Sequence, residues 1–266
     1  MDHQSAKQVR RCAQPIELTH TEKAERAVIC LHGYTGYPGE LALPAQQLFA
    51  AGFDVFVPRY PGHGTDAEDF LSTDRRDWIG EAEKSLIVAK DNYRDVYLIG
   101  HSMGGAIAVV LAQRNAIAKA VLYAPALSLP TLPFTLVSLV SPFIKRRSQP
   151  WQSDSRYPFF DQRDAGDDAY LGKEYWSWMY PKQLRQLGLI QREALSVLPI
   201  CDTDILVLTG AKDDVVDEQA GRLVLEYGRG QNNWVHMPEA THLIPYDIDA
   251  KTRQEAMERT VSWLNQ

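Results

Sequence analysis

The sequence predicts a doubly wound, mostly parallel α/β sheet, one domain over residues 1–266 with a helical lid inserted over 127–196. Three observations lead there. Short apolar runs that end in turn residues recur along the chain, helical patterns separate them, and the alternation breaks once, between about residues 127 and 196, where the composition changes. A chain of 266 residues exceeds an average domain of about 150, yet a single α/β sheet domain often reaches about 250.

The apolar runs are AVICLHG (27–33), FDVFVPRYPGHG (53–64), DVYLIGHS (95–102), KAVLYAPA (119–126), DILVLTGAKDD (204–214) and NWVHMPEATH (233–242). Each is near-continuously apolar rather than alternating, as expected of parallel strands buried on both faces. ALPAQQLFAAG (42–52), DWIGEAEKSLIVAKD (77–91) and GAIAVVLAQRN (105–115) have helical spacing between them. The residues ahead of AVICLHG leave room for one or two short strands. Within the break, Leu136, Val137, Leu139, Val140, Phe143 and Ile144 fall on one helical face, predicting an amphipathic lid helix that ends at Lys145, Arg146 and Arg147. Nine of the 26 aromatic residues lie between Trp151 and Tyr180, so the insertion is far richer in rings than the rest.

Composition narrows the function classes. Hydrophobic residues make up 45 % and charged ones 23 %, which excludes general disorder. A formal charge of −6, from 28 basic and 34 acidic side chains, argues against a nucleic-acid partner. Cys12, Cys30 and Cys201 form neither a disulfide framework nor a thiolate zinc pattern, which fits a reducing compartment. No apolar signal region opens the chain and no apolar run approaches the roughly 20 residues of a spanning helix, so a cytoplasmic protein without stable membrane insertion is expected. Oligomeric state is not legible.

Gly100-His101-Ser102-Met103-Gly104 has the G-x-S-x-G form of a nucleophile elbow, with a strand-like run before it and a helical pattern after it. Glycines two before and two after Ser102 permit a strained turn, because a Cβ at either would strike the neighbouring strand or helix. A serine hydroxyl is a poor nucleophile near neutral pH and needs a base, usually a histidine oriented by a carboxylate. Of the seven histidines, only His236 and His242 follow the elbow. His236 lies inside WVHM, where a core histidine bonded to backbone is expected, whereas His242 lies in the loop beyond and can swing over Ser102. After DILVLTG come Asp213, Asp214 and Asp217. Asp213 is the first acid past the turn, Asp214 would face the other way, and Asp217 could cap the following helix, which narrows the choice without settling it. For an oxyanion, the amide of Met103 at a helix start and that of Tyr34 in His32-Gly33-Tyr34-Thr35-Gly36 are the expected donors.

HGYTG (32–36), PRYPGHG (58–64), GHSMGG (100–105), GAKDDVVD (210–217) and ATH (240–242) together resemble the α/β-hydrolase superfamily, and within it the bacterial carboxylesterase and monoacylglycerol lipase group. The motifs span nearly the whole chain outside the lid. The resemblance implies the α/β-hydrolase fold, Ser102 as nucleophile, Asp213 as acid, His242 as base, and Tyr34 and Met103 as oxyanion donors. It does not assign the substrate, since peptidases, haloperoxidases and C–C bond hydrolases share these motifs. HGYTG also departs from the HGGG of the hormone-sensitive-type lipases, which counts against that branch.

An aromatic lid above a serine nucleophile points to a carboxylic ester with an apolar acyl group, with Trp151, Phe159 and Trp176 as candidate substrate-binding residues; the alternative is that these rings only pack the lid onto the sheet. Lys145, Arg146 and Arg147 read as a solvated, dipole-matched helix end rather than a lipid contact. The leading expectation is a serine carboxylesterase or monoacylglycerol lipase acting on a small-molecule ester. A serine aminopeptidase or amidase is kept open by the lid acids Asp154, Asp161, Asp164, Asp167, Asp168 and Glu174. A non-catalytic binding protein is disfavoured by the complete Ser, Asp and His set. No H-E-x-x-H, phosphate loop or cysteine cluster is present, so neither metal nor organic cofactor is expected.

Overall fold

The protein was analysed as a computed structural model that describes residues 8–152 and 165–266. Tyr157, Phe159 and Phe160, and the acids Asp154, Asp161 and Asp164, lie outside the described residues. Among the described residues one short strand, β1 (Ile16–Leu18), precedes the first apolar run. Then follow β2 (Arg26–Leu31), α1 (Ala42–Ala50), β3 (Asp54–Val57), α2 (Ala67–Ser72), α3 (Arg75–Asn92), β4 (Asp95–His101), α4 (Met103–Asn115) and β5 (Lys119–Tyr123). The chain next forms α5 (Phe134–Val140), β6 (Arg147–Ser148), α6 (Ala165–Leu171), a π-helical turn (Gly172–Trp176), β7 (Trp178–Met179) and α7 (Pro181–Val197). It closes with β8 (Asp204–Gly210), α8 (Gln219–Tyr227), β9 (Asn233–Met237) and α9 (Ala250–Asn265).

The six apolar runs coincide with β2, β3, β4, β5, β8 and β9. With β1 they form a seven-stranded sheet of order β1-β3-β2-β4-β5-β8-β9, parallel throughout except for the antiparallel β1–β3 edge pair. The central strands are apolar because helices cover both faces: from Ala27 to Leu31 and from Leu98 to Gly100 the chain is buried. Side chains fix the helix starts. Asp74 and Asp77 form a capping box on α3, Asp66 caps α2 through the Asp69 N–H at 2.8 Å, and Asp249 caps α9 through the Thr252 N–H at 3.0 Å. α4 is buried from Met103 to Ala112, which explains why its sequence is apolar on every side.

Two expectations fail here. The amphipathic helix ends at Val140 rather than at Lys145, because Pro142 has no N–H to continue the ladder; the Ser138 carbonyl is taken instead by the Ser141 hydroxyl at 3.1 Å. Of its apolar face only Val137 is buried, while Leu139 is 67 % and Phe143 87 % exposed. Lys145, Arg146 and Arg147 therefore close no helix: Arg147 begins β6, and the Arg146 guanidinium stacks 3.9 Å over the Trp178 ring. The segment also carries the small β6–β7 pair, where no strand was expected. Among the described residues no helix is long and apolar enough to cross a membrane.

Candidate active site

From β2 the chain runs outward to β3 on one side, and from β4 it builds β5, β8 and β9 on the other. The crevice beyond the carboxyl ends of β2 and β4 is thus the point where strand order reverses, the place where open α/β sheets bind ligands. HGYTG follows β2 there, and Ser102 follows β4.

Ser102 sits at φ 53°, ψ −115°, a region costly for a residue with a Cβ. Its neighbours hold it there. The Ser102 N–H donates to Tyr123 O at 2.9 Å, and its carbonyl accepts from Ala126 at 2.9 Å and Gly105 at 3.0 Å. The flanking glycines are required by close approach: a Cβ on Gly100 would lie 2.3 Å from Gly104 O, and one on Gly104 would lie 2.0 Å from Leu31 O. The hydroxyl is lifted to the start of α4, where the Met103 N–H has no acceptor within the helix.

His242 Nε2 lies 3.1 Å from Ser102 Oγ, and His242 Nδ1 lies 2.9 Å from Asp213 Oδ2. An ionised carboxylate only accepts, so the proton sits on Nδ1 and the Nε2 lone pair faces the serine hydroxyl. The Asp213 side chain is fully buried, and its second oxygen accepts the N–H groups of Val215 at 2.8 Å and Val216 at 2.9 Å, which fixes the carboxylate plane. Asp214 points to solvent. Asp217 does not cap α8: the N-cap is Glu218, without a side-chain bond, and Ala220 N–H takes the Asp217 main-chain carbonyl instead. His236 is not a core residue either. It is exposed on the edge strand β9 and bonds the Thr209 hydroxyl at 2.9 Å, since an edge strand leaves one flank in water.

Backbone and side chains tie the acid and base loops together. Ala211 N–H donates to Met237 O and Lys212 N–H to Ala240 O, both at 2.9 Å. The buried carboxylate of Asp247 accepts both the N–H and the hydroxyl of Thr241 at 2.7 Å, holding the residue before His242. No local motif announces Asp247, because its acceptor role depends on a loop that folds back from Thr241.

Tyr34 lies in a turn closed by Gly36 N–H to Gly33 O at 3.2 Å, with Thr35 at φ 56°; that bond leaves the Tyr34 amide outside the turn. Three buried histidines support this region. His32 accepts the Tyr60 N–H on Nε2 at 3.4 Å and donates from Nδ1 to Gly33 O at 3.1 Å, linking the turn to the segment after β3. His63 is packed among Phe70, Trp78 and Tyr60. His101 donates from Nε2 to the His242 carbonyl at 2.9 Å. Burial holds His32 well below its ordinary value and pushes His63 and His101 down to about 3, so all three are neutral near pH 7.

The inserted segment meets this region through its aromatic residues. Trp176 donates from Nε1 to Thr35 O at 3.3 Å and lies tilted against Trp151 with centroids 5.3 Å apart. The Tyr175 hydroxyl accepts the Thr65 N–H at 3.0 Å and reaches Gly62 O at 3.0 Å. Of the described acids of this segment, Asp167 pairs with Arg10 at 2.7 Å and Glu174 accepts the Ala67 N–H at 3.2 Å.

The thermostable monoacylglycerol lipase of Bacillus sp. (strain H-257) is 32 % identical over 96 residues, 36 % of this chain and 38 % of that protein. A carboxylesterase of Bacillus subtilis is 28 % identical over 33 % of this chain and 36 % of its own length, so the chain spans under two-fifths of each of these two relatives. Phospholipase YtpA of Bacillus subtilis is 26 % identical over 74 % of this chain and 81 % of its own length. Among solved structures, one from work on the metagenome-derived lipolytic enzymes LipS and LipT superposes with a TM-score of 0.83, at 19 % identity, over 97 % of this chain and 99 % of that one. The monoacylglycerol lipase of Paleococcus ferrophilus superposes at 0.71, with 18 % identity, over 94 % and 97 %. These two are likenesses of fold. The family profile described as the alpha/beta hydrolase family matches residues 28–254, from β2 into α9, and with the parallel sheet and the elbow after β4 it places this chain in the alpha/beta hydrolase family.

Proposed function

We propose that the protein is a serine hydrolase of carboxylic esters with an apolar acyl group, a carboxylesterase or monoacylglycerol lipase working through an acyl-enzyme on Ser102. The observation that carries this is the unbroken line from the buried Asp213 carboxylate through His242 to the Ser102 hydroxyl, 2.9 and 3.1 Å long. In this account the Ser102 oxygen bonds to the ester carbonyl carbon while its proton passes to His242 Nε2. The tetrahedral oxyanion takes the amides of Tyr34 and Met103. The carbon–alkoxide bond breaks as His242 protonates the leaving alcohol, and water, deprotonated by His242, then releases the acid and restores the serine. Asp213 stays ionised and steadies the imidazolium.

The apolar acyl class is supported by the rings Trp151 and Trp176, which lie together over the HGYTG turn in the segment 127–196 that we read as a lid. The names of the Bacillus relatives, a monoacylglycerol lipase, a carboxylesterase and a phospholipase, also lie within ester hydrolysis. An aminopeptidase would need free acids for the substrate amine, and the two of those acids whose side chains are described, Asp167 and Glu174, are engaged. Cys12, Cys30 and Cys201 are buried and form no disulfide, in accord with a reducing, cytoplasmic setting. A chain-length series of p-nitrophenyl esters assayed beside aminoacyl p-nitroanilides tests the assignment. Ester cleavage that improves with acyl length is expected; cleavage of the anilides alone would replace the assignment with a peptidase.

A further inference from the structure

We infer that Trp176 is a positioning residue for the oxyanion-binding turn, through which the inserted segment sets how well that turn stabilises a tetrahedral oxyanion. This rests on the serine-hydrolase reading above. The π-helical turn Gly172–Trp176 aims three successive side chains at backbone groups of the loops beyond the sheet: Glu174 at the Ala67 N–H, Tyr175 at the Gly62 carbonyl and the Thr65 N–H, and Trp176 at the Thr35 carbonyl. π-Helical insertions are frequent at functional sites.

The last of these bonds falls where backbone geometry is most in need of it. Thr35 is β-branched and held at φ 56°, a conformation such a residue adopts only when its surroundings enforce it. The turn's own bond, Gly36 N–H to Gly33 O, leaves the Thr35 carbonyl unused, and the Trp176 indole takes it from outside. The adjoining residue, Tyr34, bears the amide assigned to the oxyanion. The indole is itself fixed. Its ring lies 5.3 Å from Trp151 and 6.2 Å from Tyr37, and Trp151 covers Gly172 so closely that a Cβ there would come within 2.0 Å of its ring. Trp176 thus links the lid to the turn by a directed bond, a role distinct from walling an acyl pocket.

The test is Trp176→Phe, which keeps an aromatic ring against Trp151 and Tyr37 and removes the N–H. Acylation and deacylation both pass through an oxyanion, so the loss is expected in kcat: about tenfold, for p-nitrophenyl acetate and octanoate alike, a fraction of what deleting a whole donor costs. KM stays within about twofold, and the Ki of an alkyl trifluoromethyl ketone, whose serine adduct carries the same oxyanion, rises by the factor lost from kcat. If the variant does not fold, by near-ultraviolet circular dichroism, β-(3-benzothienyl)alanine at position 176 removes only the donor and the same expectations apply. Unchanged kcat and Ki, or a KM rise confined to octanoate, would overturn the positioning role and leave the hydrolase reading intact. A wild-type protein that neither cleaves an ester nor binds the ketone would overturn that reading and this inference together.

Discussion

His101 Nε2 donates to the main-chain carbonyl of His242 across 2.9 Å, so the residue before the candidate nucleophile holds the loop that carries the candidate base. The bond needs a proton on Nε2, and burial, which lowers the His101 pKa to about 3, leaves the ring neutral in that tautomer. His101→Phe keeps the ring volume and loses the donor. Steady-state kinetics should show kcat lower by about 10- to 100-fold, the scale of an ångström-level misplacement of a base, with KM little changed. A kcat equal to wild type would mean that the loop is held by Asp247 and the strand ends alone.

The two adjacent aspartates after β8 differ in everything but identity. Asp213 is buried against His242 and two amides, and Asp214 is exposed. Asp213→Asn should lower kcat by about 10⁴-fold, because an amide that donates to Nδ1 reverses the tautomer, while Asp214→Asn should stay within about threefold. Equal losses in the two variants would remove Asp213 from the role given to it.

Much of this arrangement was legible in the sequence, for physical reasons. Strands buried on both faces have continuous apolar runs, so β2, β4, β5 and β8 stand out, and a strained elbow between strand and helix leaves two glycines around Ser102. Asp213 and His242 lie close beyond their strands, within reach of chain-order reasoning. The remainder depends on partners distant along the chain. Nothing local in Trp176 points to the Thr35 carbonyl, 141 residues away, nor in His101 to the His242 carbonyl, equally far. Helical periodicity at Leu136–Ile144 misled because it counts apolar positions and overlooks Pro142, and His236 misled because an edge strand is apolar on only one flank.

Close approach at the elbow predicts a stability effect. A methyl group on Gly104 would sit 2.0 Å from Leu31 O, so Gly104→Ala must push α4 away from β2. Urea unfolding should show a loss of about 3 kcal/mol, at the upper end for overpacking, with kcat reduced as Met103 moves. A loss under about 0.5 kcal/mol would mean that the helix moves freely there.

Acid should unfold the protein through its buried histidines. His32, His63 and His101 remain neutral in the fold well below the ordinary histidine value of 6.5, where the unfolded chain takes up protons. The unfolded state therefore binds more protons below that pH, and stability falls as pH drops from 6.5 toward 3. Each histidine contributes about 1.4 kcal/mol per pH unit, so the slope approaches about 4 kcal/mol per unit. Urea titrations at a series of pH values measure it, and a slope of one proton or less would contradict the burial described.

The most direct test of the central claim is to mix the wild-type protein with a p-nitrophenyl ester, quench in acid before deacylation, and map the acyl group by mass spectrometry. The account predicts an acyl adduct on the Ser102 peptide, a matching burst of nitrophenol, and neither in Ser102→Ala. Full activity in Ser102→Ala, or an acyl group on another residue, would contradict it.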